Sequence, residues 1–139
     1  MIGETDETQI VLDALDTNWD TGVITKPTIA KKADYDVVDV ANGDFVLGYP
    51  VTELFHPLDS ARRYHKVKAE VALDIRTDDE SDIQLIEGEV RRIIGAQRHS
   101  VNYFDDMIYL GCEAVLNYRK VFRTVHTVQL VNYGDSVVA

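Results

Sequence analysis

The sequence predicts an α+β domain, with two helices packed on a mostly antiparallel or mixed sheet of about five strands. Residues 66–76 alternate between apolar and charged side chains, and apolar residues recur at helical period over 77–94. Two further alternating segments follow near the C-terminal end. Long strands with only two helices are typical of this class, and the expected element order is α-β-β-β-α-β-β. A chain of 139 residues is expected to form one domain, with a loose tail over 132–139.

The first helix is predicted over Thr5 to Trp19, with Thr5 or Asp6 as its cap. Asp13 and Asp16 on this helix are interpreted as a solvated face, because carboxylates on an acidic amphipathic helix usually face water. Residues 20–36 show no sustained period and are predicted to be a loop, with a short extended piece at 23–29. The apolar side of the helix is expected to consist of Ile10, Val11, Ala14, Leu15 and Trp19.

A hairpin is predicted around Asn42-Gly43, because both positions of such a turn must accept positive φ. Its strands would be 37–41 and 44–49. The segment Pro50 to Ala61 is then expected to be a long connection. The apolar side chains of this connection have two interpretations, since they could fold back over the core or face a partner.

The central unit is a strand over Val67 to Ile75 followed directly by a helix that reaches Ile94. One face of the strand is expected to be buried and the other wet. Thr77 and Glu80 have the spacing of a capping box. Two last strands are predicted over 108–118 and 121–131. The first is expected to contain Cys112 as a buried thiol. The alternation of the second is blurred, which indicates a bulge or burial on both faces.

The chain is strongly acidic, with a formal net charge of -10 and sixteen Asp against eight Glu. An excess of Asp with few Lys suits a surface adapted to high salt, so a halophilic source is the favoured interpretation over an ordinary acidic protein. The same charge argues against non-specific binding of duplex DNA. No apolar run of membrane-spanning length and no leader are found, so a soluble, unexported protein is expected.

Signals for catalysis are weak. There is no glycine-rich phosphate loop, nucleophile elbow or His-Glu-x-x-His zinc motif. One hypothesis places the carboxylate and imidazole groups of His56, Asp59 and His65 around a metal ion. Another places three aspartates, Asp74, Asp105 and Asp106, in a nuclease-like site. Since no spacing requires either site, no catalytic residue, metal ligand or cofactor is assigned.

Two basic groups stand out on this acidic chain, and both are candidates for subunit or partner contacts. In a strand, the residues of the first group point the same way and form a basic stripe that contains an aromatic residue. These cations could pair with Glu113 or other carboxylates of the same subunit, or with an acidic neighbour. The candidate interface residues are Leu54, Phe55 and His56, the stripe Arg62, Tyr64, Lys66 and Lys68, and the group Arg119, Lys120 and Arg123.

The order of these segments over residues 5–131 resembles the tail-terminator or tail-completion proteins of tailed viruses, above all those of viruses that infect haloarchaea. The resemblance is based on VVDVANGDFVLGYP, on RRYHKVKAEVALDIRT continuing into DDESDIQLIEGEVRRII, and on FRTVHTVQL. It implies a non-enzymatic subunit of a hexameric ring in the virion, assembled in the host cytoplasm. The ring would cap the tail tube and join it to the head connector or head-closure protein. It would leave a channel through which DNA passes without specific binding, and no membrane would be involved.

Other functions remain open from the residues themselves. One is another neck protein, such as a head-closure or adaptor protein. A second is a small ligand-binding regulatory domain, for which a sheet with two helices is also a common scaffold. The third is a metal-dependent hydrolase or nuclease that uses the three aspartates.

Overall fold

The structure, a computed structural model, describes residues 6–34, 43–57, 64–101, 103–115 and 121–132. It confirms an α+β fold in which two helices and a five-stranded mixed sheet follow the predicted order. A short 3-10 helix, Lys32–Asp34, follows the first strand. The helices are α1 (Glu7–Asn18) and α2 (Glu80–Ala96), and the strands are β1 (Thr28–Lys31), β2 (Phe45–Pro57), β3 (Tyr64–Thr77), β4 (Asp106–Ala114) and β5 (Phe122–Val131).

The sheet has the strand order β1-β2-β3-β5-β4, so β3 lies at its centre and β4 at one edge. β1 runs parallel to β2, and the other neighbouring strands are antiparallel. β3 pairs along most of its length with both β2 and β5. The alternating segment in the middle of the sequence thus forms the middle of the sheet.

Both helices pack on one face of the sheet, α1 over β1 to β3 and α2 over β3 to β5. On this face of β3, Ala69, Val71, Leu73 and Ile75 are fully or almost fully buried, as predicted, and Val67 is partly buried. Each buried aliphatic side chain of this size contributes about 1.5–3 kcal/mol to folding, so this layer supplies much of the stability. It contains Ala69, Val71, Leu73 and Ile75 of β3, Val11, Leu12 and Leu15 of α1, and Ile83, Ile86, Val90, Ile93 and Ile94 of α2.

The helix starts depend on aspartate caps. Asp6 accepts a hydrogen bond from the N–H of Gln9 and caps α1, as predicted. The predicted capping box at the start of α2 is wrong, because Asp79 is the cap and accepts from the N–H of Ser81. Thr77 instead donates its hydroxyl to Asp44 at 2.6 Å, which joins the end of β3 to the residue before β2.

Gly48 of β2 lets α1 approach the sheet closely. A Cβ at this position would lie 2.9 Å from Cγ2 of Thr8 and 3.1 Å from Cδ2 of Leu12. We therefore expect Gly48→Ala to lower the free energy of unfolding by about 1–3 kcal/mol, since an overpacked contact displaces the helix. Urea denaturation measures this change. Gly88→Ala on α2, where a Cβ would have open space, is the control and should be neutral or stabilising; equal stability of the two variants would contradict the close approach.

The prediction of a long connection over 50–61 is wrong for residues 50–57. β2 continues through Pro57 and stays paired with β3, with register shifts between Pro50 and Thr52 and between Leu54 and Phe55. The first of these irregularities accommodates Pro50, which cannot donate a ladder hydrogen bond. The predicted strand 44–49 is the first part of β2, whereas its proposed hairpin partner 37–41 lies outside the described residues. The extended piece expected at 23–29 is β1, which begins only at Thr28.

The structure corrects three further predictions about the strands. On the second face of β3, Lys68 is exposed as predicted, but Ala72, Asp74 and Arg76 are buried. Of the two alternatives for the last strand, the bulge is wrong, because the register shift lies in β4 between Tyr109 and Gly111. Burial on both faces is correct, since β5 is buried or half-buried at every residue from Arg123 to Val131. Beyond this shift on the edge strand, Cys112 is exposed instead of buried. Residues 116–120 of the predicted strand and 133–139 of the tail lie outside the described residues.

Candidate functional site

The β2–β3 ladder extends past the rest of the sheet at one end. The last pair between β3 and β5 is Lys68 with Val131, and the N–H of Asn132 donates to the carbonyl of Val67 at 2.8 Å. Beyond that point, among the residues that the structure describes, 55–57 and 64–66 pair with each other as a two-stranded ribbon. We call residues 55–57 and 64–66 the β2–β3 ribbon. The ribbon lies beyond the last register pairs that β5 makes with β3 and with β4.

Three apolar side chains lie exposed close together along β2, at the base of this ribbon. Val51 is 52% exposed, Leu54 46% and Phe55 45%. We call these three residues the β2 patch. Lys68 is exposed on β3 and lies directly opposite Leu54. Because grouped exposed apolar side chains mark interaction surfaces more often than single ones do, the β2 patch is a candidate contact surface.

The predicted interface residues are only partly brought together. Leu54 and Phe55 lie on a strand rather than on the predicted loop, and Lys68 lies next to them. The backbone of His56, Tyr64 and Lys66 belongs to the β2–β3 ribbon, whereas Arg62, Arg119 and Lys120 lie outside the described residues.

Arg123 has a partner within its own chain. Its guanidinium donates to the fully buried carboxylate of Asp74 at 2.8 and 2.9 Å. Arg76 donates to the same carboxylate at 2.8 Å, and Nζ of Lys32 lies 3.2 Å from it. Of the two predicted alternatives, Arg123 thus follows pairing within its own subunit, but its partner is Asp74 and not Glu113. Arg123 therefore stabilises the second face of the sheet.

The ionisation of Asp74 follows from this arrangement. Burial alone would raise the pKa of its carboxyl, but the hydrogen bonds and charges of Arg123 and Arg76 outweigh burial and hold the pKa below its ordinary value. Asp74 is therefore a carboxylate at neutral pH, neutralised by its own chain.

The proposed nuclease-like set does not assemble. Asp106 is buried and accepts from Arg98 at 2.6 and 2.8 Å. The β-sheet register aligns Asp106 with Lys68 through Val131, six positions along β3 from Asp74, which is roughly 20 Å of strand. Two carboxylates at that separation cannot share one metal ion.

The other proposed metal set is described only in part. His56 and His65 are register partners across the β2–β3 ribbon, whereas Asp59 lies outside the described residues. The sheet therefore aligns the two histidines of this set, although residues 55–57 were predicted to be part of a loop.

A cluster that the sequence did not reveal lies between α2 and the β4–β5 pair, around the fully buried imidazole of His126. Its Nε2 lies 3.0 Å from Oε2 of Glu87 and 2.9 Å from Oγ1 of Thr124. Its Nδ1 lies 2.8 Å from the hydroxyl of Tyr109. A carboxylate only accepts hydrogen bonds, so Nε2 donates to Glu87 and Nδ1 accepts from Tyr109.

This imidazole is neutral at physiological pH. Burial lowers the pKa of His126 to about 4, and repulsion from the nearby Arg91 guanidinium contributes to the same shift. Burial also raises the pKa of the Tyr109 hydroxyl. The cluster is therefore a chain of hydrogen bonds from Glu87 through a neutral imidazole to a protonated phenol.

Cys112 completes this cluster from the edge of the sheet. Its Sγ, a side-chain oxygen of Glu87 and a ring nitrogen of His126 lie within 4.8 Å of one another. The sequence held one signal, since His126 interrupts the apolar alternation of β5. Nothing local linked it to Glu87, which is 39 positions away on a helix.

No helix among the described residues combines the length and apolar character needed to cross a membrane. A search against models of protein families finds no match for this chain, and a search of curated proteins finds none either.

Proposed function

We propose that this chain is a structural subunit that assembles side by side with copies of itself into a ring. The ring would be hexameric, as in the tail-terminator proteins that the sequence resembles. It would cap the tail tube of a virus that infects haloarchaea, join it to the head connector and leave a channel for DNA. The observation that supports this proposal best is the β2–β3 ribbon with the exposed β2 patch at its base.

A two-stranded ribbon is marginally stable in water without further packing. Docking on a neighbouring subunit would add packing to this ribbon and cover the exposed parts of Leu54 and Phe55. A projecting element that docks on a different surface of the next copy makes a heterologous contact. Such contacts generate a closed ring when the rotation between copies closes.

The charge distribution supports a subunit that does not hold DNA. Every arginine of the described residues has a nitrogen within 4.0 Å of a carboxylate oxygen in the same chain. With these cations occupied and a net charge of -10, the surface would repel phosphate, so a duplex could slide through a channel without sticking. High salt would screen the repulsion between acidic copies and permit their association.

The test is the oligomeric state of the purified chain in high salt, measured by light scattering and by electron microscopy. The wild-type chain should form rings with a central hole. Leu54→Asp should weaken each contact at least about 10-fold and yield mainly monomers, because it places a charge in an apolar contact. The control is Leu85→Asp on α2, where the replaced side chain is 44% exposed and lies away from the β2 patch.

Two outcomes would contradict this function. A wild-type chain that remains monomeric, or forms only closed dimers, would exclude a ring. Rings that form equally well with Leu54→Asp and Leu85→Asp would show that the β2 patch is not the contact. Circular dichroism of both variants establishes that the monomer is still folded.

A further inference from the structure

The cluster around His126 contains the side-chain types that bind borderline and soft transition metals. Thiolate, imidazole and carboxylate are the three protein ligands of zinc, and three protein ligands with an open fourth position form a common zinc arrangement. Here the three come from three different elements, Glu87 from α2, Cys112 from β4 and His126 from β5. Their ligand atoms already lie within 4.8 Å of one another.

We propose that Glu87, Cys112 and His126 form a binding site for a single Zn²⁺ ion, with the remaining position open to water. The inference is independent of ring assembly, because all three ligands belong to one chain and lie apart from the β2 patch. The bound metal would link α2 to the edge strand β4, which already pack against each other.

The hydrogen bonds around the imidazole suit this role. In the metal-free chain Nε2 donates to Glu87 at 3.0 Å. When zinc takes the place of that hydrogen, the ring hydrogen moves to Nδ1, which lies 2.8 Å from the hydroxyl oxygen of Tyr109. Metal-bound histidines commonly donate their second N–H to an oxygen in this manner, which holds the ring in position.

The site is accessible to an ion and needs only small movements. Cys112 is exposed, and the Glu87 side chain is 13% exposed, so both can reach an ion that arrives from solvent. Arg91, whose guanidinium lies 4.0 Å from Glu87, is itself exposed and can turn to water when the metal replaces it. The Cys112 thiol proton is released to solvent as the thiolate binds, so the two ligand charges balance the ion.

The test uses the full chain, reduced and stripped of metal, titrated with Zn²⁺ in a calorimeter and with Co²⁺ in a spectrophotometer. One Zn²⁺ should bind per chain, and Co²⁺ should give the charge-transfer absorption of a cobalt–thiolate bond. Zn²⁺ should also raise the temperature of unfolding. Cys112→Ser should abolish the absorption and weaken zinc binding at least about 100-fold, more than loss of an outer-shell partner does.

Glu87→Gln should weaken zinc binding and retain the cobalt–thiolate absorption. Glu113→Gln is the matched control, an exposed carboxylate next to Cys112 whose loss should change neither quantity. Because Cys112 and Glu113 are exposed, Cys112→Ser and Glu113→Gln should keep the fold. The proposal is overturned if the wild-type chain takes up no Zn²⁺ in a saturable manner, or if Cys112→Ser and Glu113→Gln bind it equally.

Discussion

Val71→Asp is expected to abolish folding. Val71 lies at the centre of β3 with no exposed surface, between its register partners Pro50 and Val128 and beneath both helices. An unpaired carboxylate there costs several kcal/mol, against a total stability of about 5–15 kcal/mol for a domain of this size. The variant should appear in the insoluble fraction or lack the far-ultraviolet circular dichroism of the wild-type chain.

The matched control is Val23→Asp, which makes the same change at a position that is 46% exposed before β1. It should alter the free energy of unfolding by less than about 1 kcal/mol. Soluble Val71→Asp with a wild-type spectrum would mean that this face of β3 does not pack against the helices.

Asp74→Asn should cause the second large effect, a loss of about 3–5 kcal/mol in the free energy of unfolding at pH 7. The substitution leaves the buried guanidinium of Arg76 and the partly buried guanidinium of Arg123 without their counter-charge. Urea denaturation measures the loss. Asp16→Asn is the control, since its carboxylate pairs with Lys26 at the surface and should contribute less than about 1 kcal/mol.

The effect should depend on pH in a definite direction. Because the folded-state pKa of Asp74 is lowered, its contribution to stability is fully present above the ordinary value of 3.8 and is lost as the pH falls from there through the folded pKa. The wild-type chain should therefore lose stability more steeply with acid than Asp74→Asn does. If the difference in the free energy of unfolding between the wild-type chain and Asp74→Asn stays constant at low pH, the stabilisation does not come from the charged carboxylate.

The first helix and the central strand–helix unit show how far local pattern goes. The Asp6 cap, the buried side of α2 and the core face of β3 all follow from the spacing of residues within a few turns or strand positions. These features can be predicted without knowing which distant residues they contact, because helical and strand periodicity determines which side chains face the same way. The wrong predictions of a capping box at Thr77 and of a loop from Pro50 also have local causes. Thr77 and Asp79 compete as the cap of α2, and an irregular ladder tolerates Pro50.

The α+β class, the element order and the residues that face the helices all follow from local sequence patterns. Three features depend instead on how the chain folds: β2 extends into a ribbon, Asp74 and Arg123 meet across 49 positions, and Glu87 lies against His126. Periodicity specifies which way a side chain points relative to its own element. It does not specify which elements become neighbours, and the charge pairs, the exposed β2 patch and the proposed zinc site all depend on that choice.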